Sequence, residues 1–299
     1  MSRPPTFDPP PGARACRLVT ERGDFAVIDA PPATGRPYKG TALLLPGFTG
    51  SKEDFIALHP LLAAAGYRTV AVDGRGQYES DGPLDDESPY AQAELARDVL
   101  AQAAALGTSV HLLGHSLGGQ IARAAVLLDH TPFVSLTLMS SGPAQISPSQ
   151  QERVKLLQEV LYLMDMAEVW EAMQAVETPE DTELDGPPGD PDPAPDPDPG
   201  LDGARDLRHR WLRNSPAQLI ATGRQLCTEP DRVTELSAVP LPKHVLSGER
   251  DDTWPLPLLD DMAARLAAHR TVVHGAEHSP NTDRPQETAA AIAAFWDAC

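Results

Sequence analysis

Short apolar runs alternate along the chain with longer segments in which apolar residues recur at helical spacing. GTALLLPG (40–47), RTVAVDGRG (68–76) and SVHLLG (109–114) contain continuous apolar stretches, which are typical of strands buried on both faces of a sheet. FVSLTLMSS (133–141) and RTVVHG (270–275) repeat the pattern further along the chain. We therefore predict that these segments are strands of one sheet.

Segments with helical spacing lie between these strands. Residues 54–67, 88–107 and 117–129 each separate two of the predicted strands. Strands that alternate with helices indicate an α/β fold with a mostly parallel, doubly wound sheet and helices on both faces. Two shorter β-like runs, RLVT (17–20) and FAVID (25–29), precede the alternation.

The alternation stops after about the sixth strand. Residues 149–177 have the spacing of one or two helices, residues 207–227 have that of another, and a strand at KHVL (243–246) resumes the alternation. The predicted organisation is a flexible proline-rich arm (1–15), the first part of the core (16–143), a helical insertion (144–237) and the second part of the core (238–299).

Negative charge is concentrated in the insertion. The chain has a formal net charge of −19, and residues 177–206 contain eleven acidic residues, eight prolines and one arginine. Proline removes backbone donors and like charges repel, so we predict a disordered acidic loop at 178–204. The acidic balance argues against a nucleic-acid partner, because phosphates are bound by basic surfaces.

Cysteine content and the lengths of the apolar runs limit the environment of the protein. Cys16, Cys227 and Cys299 are odd in number and far apart, which indicates a reducing, cytoplasmic compartment. The sequence predicts neither a signal peptide nor a membrane span. Histidine and cysteine show no metal-ligand spacing, so we expect no metal and no cofactor, only a small-molecule substrate.

A glycine-flanked serine follows one of the buried strands, in the segment GHSLG (114–118). A serine hydroxyl becomes a nucleophile when a base takes its proton, a carboxylate orients that base and N–H groups stabilise the oxyanion. SGERDD (247–252) and HGAEHSP (274–280) follow later strands and bring acids and His278. The carboxyl ends of parallel strands meet at one edge, so we expect Ser116 and these groups to meet there.

These motifs resemble those of the α/β-hydrolase-fold family, and in particular its carboxylesterase-like serine hydrolases with a helical cap. The resemblance covers the chain from about residue 40 to its end, apart from the insertion. Its motifs are PGFTG (46–50), DGRGQYES (73–80), GHSLGG (114–119), SGERDDTWP (247–255) and GAEHSPN (275–281). By these matches it implies a Ser116–Asp251–His278 triad, an oxyanion hole formed by the backbone N–H groups of Phe48 and Leu117, and a cap formed by the insertion.

Two positions depart from the family pattern. Pro46-Gly47 stands where the family often has His-Gly, so the hydrogen bonds of that histidine are absent. Tyr78 stands where the family often has glycine, and we expect a local change in that turn. Neither departure removes a group that the implied chemistry uses.

Other residues compete for these roles. Ser116 has an alternative role as a helix N-cap, and Asp252 is adjacent to Asp251. His115 neighbours the serine and is expected to point away from it, while His274 lies within a strand. The remaining histidines, His59, His111, His130, His209, His244 and His269, do not directly follow a strand.

Large apolar residues near the site are candidates for a substrate pocket. Met164, Trp170 and Trp211 lie in the insertion, and Trp254 lies close to the predicted acid. They either line an apolar pocket over Ser116 or bury the insertion against the core.

The sequence thus predicts a serine hydrolase that cleaves a small ester, thioester or amide through an acyl-enzyme on Ser116. One alternative is a non-hydrolytic enzyme with His278 as base, such as a lyase, a haloperoxidase-like perhydrolase or a cofactor-free oxygenase. Another is a ligand-binding protein without turnover. The same fold supports each of these functions.

Overall fold

Eight strands form one sheet in the computed structural model, which describes residues 2–177 and 199–299. The strands are β1 (Arg14–Thr20), β2 (Gly23–Ala30), β3 (Gly40–Leu45), β4 (Tyr67–Val72), β5 (Val110–His115), β6 (Phe133–Met139), β7 (Lys243–Gly248) and β8 (His269–Val273). Their order across the sheet is β1-β2-β4-β3-β5-β6-β7-β8. The β1–β2 and β2–β4 pairs are antiparallel and the others are parallel, which confirms the predicted fold class.

The central strand β3 shows why continuous apolar runs form this sheet. Leu43 and Leu45 pack into the hydrophobic layer on one face, while Ala42 and Leu44 pack into the layer on the other. All four side chains are buried, as expected for a strand with helices on both sides. The strand therefore has no polar face to turn toward water.

Helices cover both faces of the sheet. The α-helices within the described residues are α1 (Leu58–Ala65), α2 (Gln92–Ala105), α3 (Leu117–Leu128), α4 (Pro148–Leu161), α5 (Met166–Glu177), α6 (Pro199–Leu212), α7 (Pro216–Thr228), α8 (Val233–Ser237), α9 (Leu256–Leu266), α10 (Pro280–Asp283) and α11 (Pro285–Trp296). Helices α2, α3 and α9 pack on one face, whereas α1 and α11 pack on the other. None of these helices has both the length and the apolar character that crossing a bilayer requires.

Among the described residues, the helices α4 to α8 lie between β6 and β7, where the sequence predicts a helical insertion. Most of the predicted acidic loop (178–204) lies outside the described residues. Helix α6 begins at Pro199, so the last residues of that predicted loop are helical. Proline is well tolerated in the first turn of a helix, because the N–H group that it lacks has no partner there.

The segment predicted as one helix (54–67) is divided in two. A 3-10 helix spans Lys52–Phe55, and α1 begins at Leu58. The side chain of Asp54 turns inward and pairs with the guanidinium of Arg210 in α6 at 2.8 Å. This long-range ion pair has no signature in the local spacing of apolar residues.

The predicted flexible arm (1–15) is more ordered than its composition suggests. Arg14 and Ala15 belong to β1, because they pair with Asp29 and Ile28 of β2. Closer to the start of the chain, the Phe7 ring lies 6.2 Å from that of Tyr78. Ser2 and Phe7 therefore contact distant parts of the folded chain, which a proline-rich composition does not reveal.

Candidate active site

The parallel strands bring the predicted site residues to one edge of the sheet. Leu45 at the end of β3 pairs with Gly114, and His115 at the end of β5 pairs with Met139. Gly248 at the end of β7 pairs with Val273 at the end of β8. The segments that follow β3, β5, β7 and β8 therefore start from the same edge.

Ser116 lies in a sharp turn between β5 and α3. Its backbone has φ 54° and ψ −119°, a conformation that residues other than glycine rarely adopt and that costs on the order of 1–3 kcal/mol. The turn brings α3 close to β3, where a Cβ atom on Gly118 would lie 2.5 Å from the carbonyl oxygens of Leu45 and Pro46. A side chain at residue 118 is thus excluded, and the strained turn is retained by the close packing around it.

His278 lies between Ser116 and Asp251. Its Nε2 atom is 3.1 Å from the Ser116 Oγ and accepts the hydroxyl proton, while its Nδ1–H donates to both carboxylate oxygens of Asp251 at 3.0 Å. The Asp251 side chain is fully buried, and that of His278 is 28% exposed. These contacts have the arrangement of nucleophile, base and orienting carboxylate.

Backbone hydrogen bonds fix the orientation of Asp251. Its Oδ1 atom accepts from the N–H groups of Thr253 at 2.8 Å and Trp254 at 3.1 Å. The neighbouring Asp252 points outward, with a side chain that is 68% exposed. Of the two adjacent acids, only Asp251 contacts the imidazole within the described residues.

His115 contacts the other side of the base. It points away from the Ser116 hydroxyl, as expected, and its Nε2–H donates to the backbone carbonyl of His278 at 2.8 Å. The ring is 2% exposed, and burial lowers its pKa to about 3. It is therefore neutral and ties the end of β5 to the loop that carries His278.

The two predicted oxyanion donors lie at neighbouring strand ends, because Phe48 follows β3 and Leu117 follows β5. No hydrogen bond within the described residues uses the Phe48 N–H, and Leu117 is the first residue of α3, where N–H groups lack an intrahelical partner. The Gln77 Nε2–H donates to the carbonyls of Gly47 at 2.9 Å and Phe48 at 3.4 Å. Gln77 thereby holds a turn from which the family's usual histidine is absent.

Tyr78 occupies the position where the resemblance predicts glycine. Its φ of 41° lies in the left-handed region that favours glycine, so the backbone of this turn is strained at Tyr78. The ring offsets part of this cost, because it covers the buried Lys52 ammonium at 4.6 Å from the ring centroid.

A cavity of about 400 Å³ opens beside Ser116 and His278. Its apolar wall includes Phe48, Val154 and Leu226. Polar groups line the remainder, and they include Thr49, Gln150, Arg153, Asp252, Thr253 and Asp283. The site therefore combines a reactive hydroxyl with a small enclosure of mixed polarity.

Most of the chain matches a known family. The model of the Alpha/beta hydrolase family matches residues 42–291, which include every strand from β4 to β8 and all three residues of the predicted triad. This chain is a member of the alpha/beta hydrolase family. The match confirms the resemblance seen in the sequence motifs.

Curated relatives of this hydrolase are themselves hydrolytic enzymes. The pimeloyl-[acyl-carrier protein] methyl ester esterase of Aeromonas hydrophila is 30% identical over 239 residues, which span 76% of this chain and 84% of that protein. A 2-hydroxy-6-oxononadienedioate/2-hydroxy-6-oxononatrienedioate hydrolase of Paraburkholderia xenovorans is 38% identical over 102 residues, 32% of this chain and 34% of the relative. The protein is thus a hydrolase.

Solved structures with the same fold include esterases. A carboxylesterase of Nitrososphaera gargenis superposes with a TM-score of 0.71 at 17% identity, over 95% of this chain and 98% of that chain. A thermophilic esterase from Thermogutta terrifontis gives a TM-score of 0.69 at 20% identity, over 96% and 99%. At these identities the likeness shows the shared fold.

The large apolar residues predicted as the substrate pocket of this hydrolase do not line the catalytic cavity. Trp170 and Trp211 are buried in a hydrophobic cluster among the inserted helices, and Met164 is 37% exposed. The Trp254 ring is fully buried and stacks at 6.2 Å from the His278 ring, away from the cavity. The pocket prediction is corrected here, since the insertion uses its largest side chains to build its own core.

Other residues of the site were not found by sequence reasoning. Gln77 and His115 act through backbone carbonyls, and Gln150 and Arg153 reach the cavity from α4. The available signal for Gln77 and His115 is that both lie within the family's sequence motifs, DGRGQYES (73–80) and GHSLGG (114–119). The helical pattern of residues 149–177 gave no indication of which face of α4 meets the cavity.

Proposed function

We propose that this hydrolase cleaves a carboxylic ester of modest size through an acyl-enzyme on Ser116. The observation that carries the proposal is the continuous chain of contacts from the Ser116 Oγ through the His278 imidazole to the buried carboxylate of Asp251. An ester is favoured because a relative that matches 76% of this chain is a methyl ester esterase.

The reaction proceeds in two halves. The Ser116 Oγ attacks the ester carbonyl carbon while its proton passes to the His278 Nε2, and the imidazolium then protonates the departing alkoxide. Water next enters, gives a proton to the same nitrogen and attacks the acyl carbon. The collapse of this second intermediate returns the proton to Ser116 and releases the carboxylic acid.

Backbone dipoles stabilise the two tetrahedral intermediates. The N–H groups of Phe48 and Leu117 flank the nucleophile and have no protein acceptor among the described residues. Loss of one such donor costs about 10²–10³-fold in rate in related chemistry. Asp251 keeps the imidazole in the tautomer that leaves Nε2 free to accept the serine proton.

The cavity supports a small substrate. Its volume of about 400 Å³ lies toward the lower end of the range for small-molecule sites, which is roughly 300–1,000 Å³. Arg153, Asp252 and Asp283 at its rim favour a substrate with polar groups outside the scissile bond.

Hydrolysis of p-nitrophenyl acetate by the purified protein tests the proposal. Ser116→Ala removes the nucleophile, and we expect kcat to fall by about 10⁴-fold or more. Ser109→Ala provides a matched control, because Ser109 is exposed before the opposite end of β5. A Ser116→Ala protein that retains the parent rate would contradict the proposal.

Two further measurements separate this mechanism from base catalysis without a covalent intermediate. Mass spectrometry of the rapidly quenched reaction should find the acetyl group on the peptide that contains Ser116. Asp251→Asn should lower kcat by about 10⁴-fold, as expected for loss of the orienting carboxylate, while Asp252→Asn lowers it far less. Turnover without any acyl-serine would contradict the acyl-enzyme and favour direct activation of water by His278 as a base.

A further inference from the structure

We propose that residues 2–8 place Ser2 in the wall of the substrate cavity and so limit the length of the acyl group that this hydrolase accepts. These residues are called the N-terminal arm below. The inference rests on the proposed ester hydrolysis, and it adds a specificity determinant outside the family's motifs.

The start of the arm is attached beside the catalytic cavity. The backbone carbonyl of Ser2 accepts a hydrogen bond from the Arg210 Nη2 at 2.6 Å. The same guanidinium lies 5.7 Å from the centroid of the Phe7 ring, whose edge contacts Tyr78. Both ends of the arm therefore contact α6 through Arg210, and Phe7 also contacts Tyr78 in the turn after β4.

The attachment point is itself rigid. Arg210 is fully buried and pairs at 2.8 Å with the equally buried Asp54. Burial raises the pKa of Asp54, and the Arg210 charge opposes that rise. A charge pair that is removed from water is costly to break, so the guanidinium offers the arm a fixed donor.

The arm separates two cavities. Ser2 lines the catalytic cavity of about 400 Å³, whereas the next residues, Arg3 and Pro4, line a second cavity of about 220 Å³. The second cavity has an apolar wall that includes Trp170 and Leu207. Because consecutive residues face the two spaces, the arm forms the boundary between them.

This boundary has a consequence for substrate choice. An acyl chain bound to Ser116 meets the arm when it extends toward α6, so short acyl groups are accepted and longer ones are excluded. Removal of the arm joins the catalytic cavity to the second cavity, where each buried methylene of a hydrocarbon chain strengthens binding.

Chain-length preference is the quantity to measure, with p-nitrophenyl acetate, butyrate and octanoate as substrates. Deletion of residues 2–8, with Met1 retained, should raise the octanoate-to-acetate ratio of kcat/KM by about tenfold or more. Ser2→Trp fills the cavity from the arm and should lower the butyrate-to-acetate ratio by about tenfold. Pro5→Trp is the matched control, since Pro5 is exposed and lines neither cavity.

The thermal unfolding midpoint and acetate turnover of each variant report whether the fold is retained. If the deletion unfolds the protein, the inference is tested by comparing the butyrate-to-acetate ratios of kcat/KM for Ser2→Trp and Pro5→Trp. A folded deletion variant with the parent's ratio, or equal ratios in the two tryptophan variants, would overturn the inference.

Fluorophosphonates with ethyl and octyl groups distinguish failure of the arm from failure of the proposed function. These probes label a reactive serine without turnover. Absence of Ser116-dependent acetate hydrolysis contradicts the proposed function, while equal octyl-to-ethyl labelling ratios in the parent and the deletion variant contradict the inference about the arm. If neither probe labels Ser116 in any variant, both proposals are wrong.

Discussion

Strain and hydrogen bonding act together on the residues around Ser116. The serine adopts a φ of 54°, and the imidazole of the preceding His115 is committed to the carbonyl of His278. Two consecutive side chains thus contact His278. The Ser116 hydroxyl contacts the His278 Nε2 atom, and the His115 imidazole contacts the His278 backbone carbonyl. The position of His278 thus depends on a side chain that contacts its backbone carbonyl and not its ring nitrogens.

We predict that His115→Leu lowers kcat for p-nitrophenyl acetate by about 10- to 100-fold with little change in KM, because the base shifts from its productive position. His115→Gln retains an N–H close to that of the imidazole Nε2 and should restore most of the lost rate. Steady-state kinetics of the two variants, together with their thermal midpoints, check this. Equal losses for leucine and glutamine would show that His115 acts through packing alone.

Among the elements, a buried ion pair connects the nucleophile's helix to the insertion. Arg123 in α3 donates to Glu229, the residue after α7, at 2.6 Å, and both side chains are 2% exposed. The same guanidinium donates to the carbonyls of Gly142 and Pro143, where the chain leaves β6 for the insertion. One side chain therefore connects the segment that leads into the insertion with the residue that follows α7.

Arg123→Met should reduce the free energy of unfolding by about 3–5 kcal/mol, because it leaves the Glu229 carboxylate buried without its charge partner. The double variant Arg123→Met/Glu229→Leu should recover much of that loss. Urea unfolding measures both. For comparison, Arg265→Met removes a partly exposed pair with Asp231 and should cost about 1 kcal/mol or less; a similar loss from Arg123→Met would contradict the prediction.

The whole molecule buries several neutral histidines. Burial lowers the pKa of His59 and His111 to about 4 and that of His115 and His244 to about 3. An unfolded histidine titrates near pKa 6.5, so the unfolded chain binds more protons than the folded chain below about that pH. Stability is therefore fully present above about pH 6.5 and is lost as the pH falls toward the folded-state pKa values.

We predict that the free energy of unfolding decreases between about pH 7 and pH 5, with each buried histidine contributing up to roughly 1.4 kcal/mol per pH unit. Urea midpoints across this range measure the slope. His244→Gln should make the slope shallower by about one proton. Parallel slopes for the parent and His244→Gln would contradict the prediction.

The strands and the order of the candidate triad could be predicted because their signals are local. An apolar run such as residues 40–47 indicates a strand with two buried faces, and the segment that follows such a strand lies at a known edge of a parallel sheet. The positions of Ser116 and His278 at that edge follow from topology alone. For the acid, topology left two adjacent candidates, and the structure brings Asp251 to the imidazole.

Other features depend on contacts between distant parts of the chain. Three such contacts are the Asp54–Arg210 ion pair, the hydrogen bond from Arg210 to the Ser2 carbonyl and the hydrogen bond from Gln77 to the Gly47 carbonyl. The spacing of residues along the chain does not predict them. The tryptophans of the insertion could equally have faced the cavity or one another, because an apolar residue is buried in either case. The sequence by itself determined the sheet, the strand-end motifs and the family, whereas tertiary packing decided which side chains enclose the substrate, since that depends on how separate elements share the space between them.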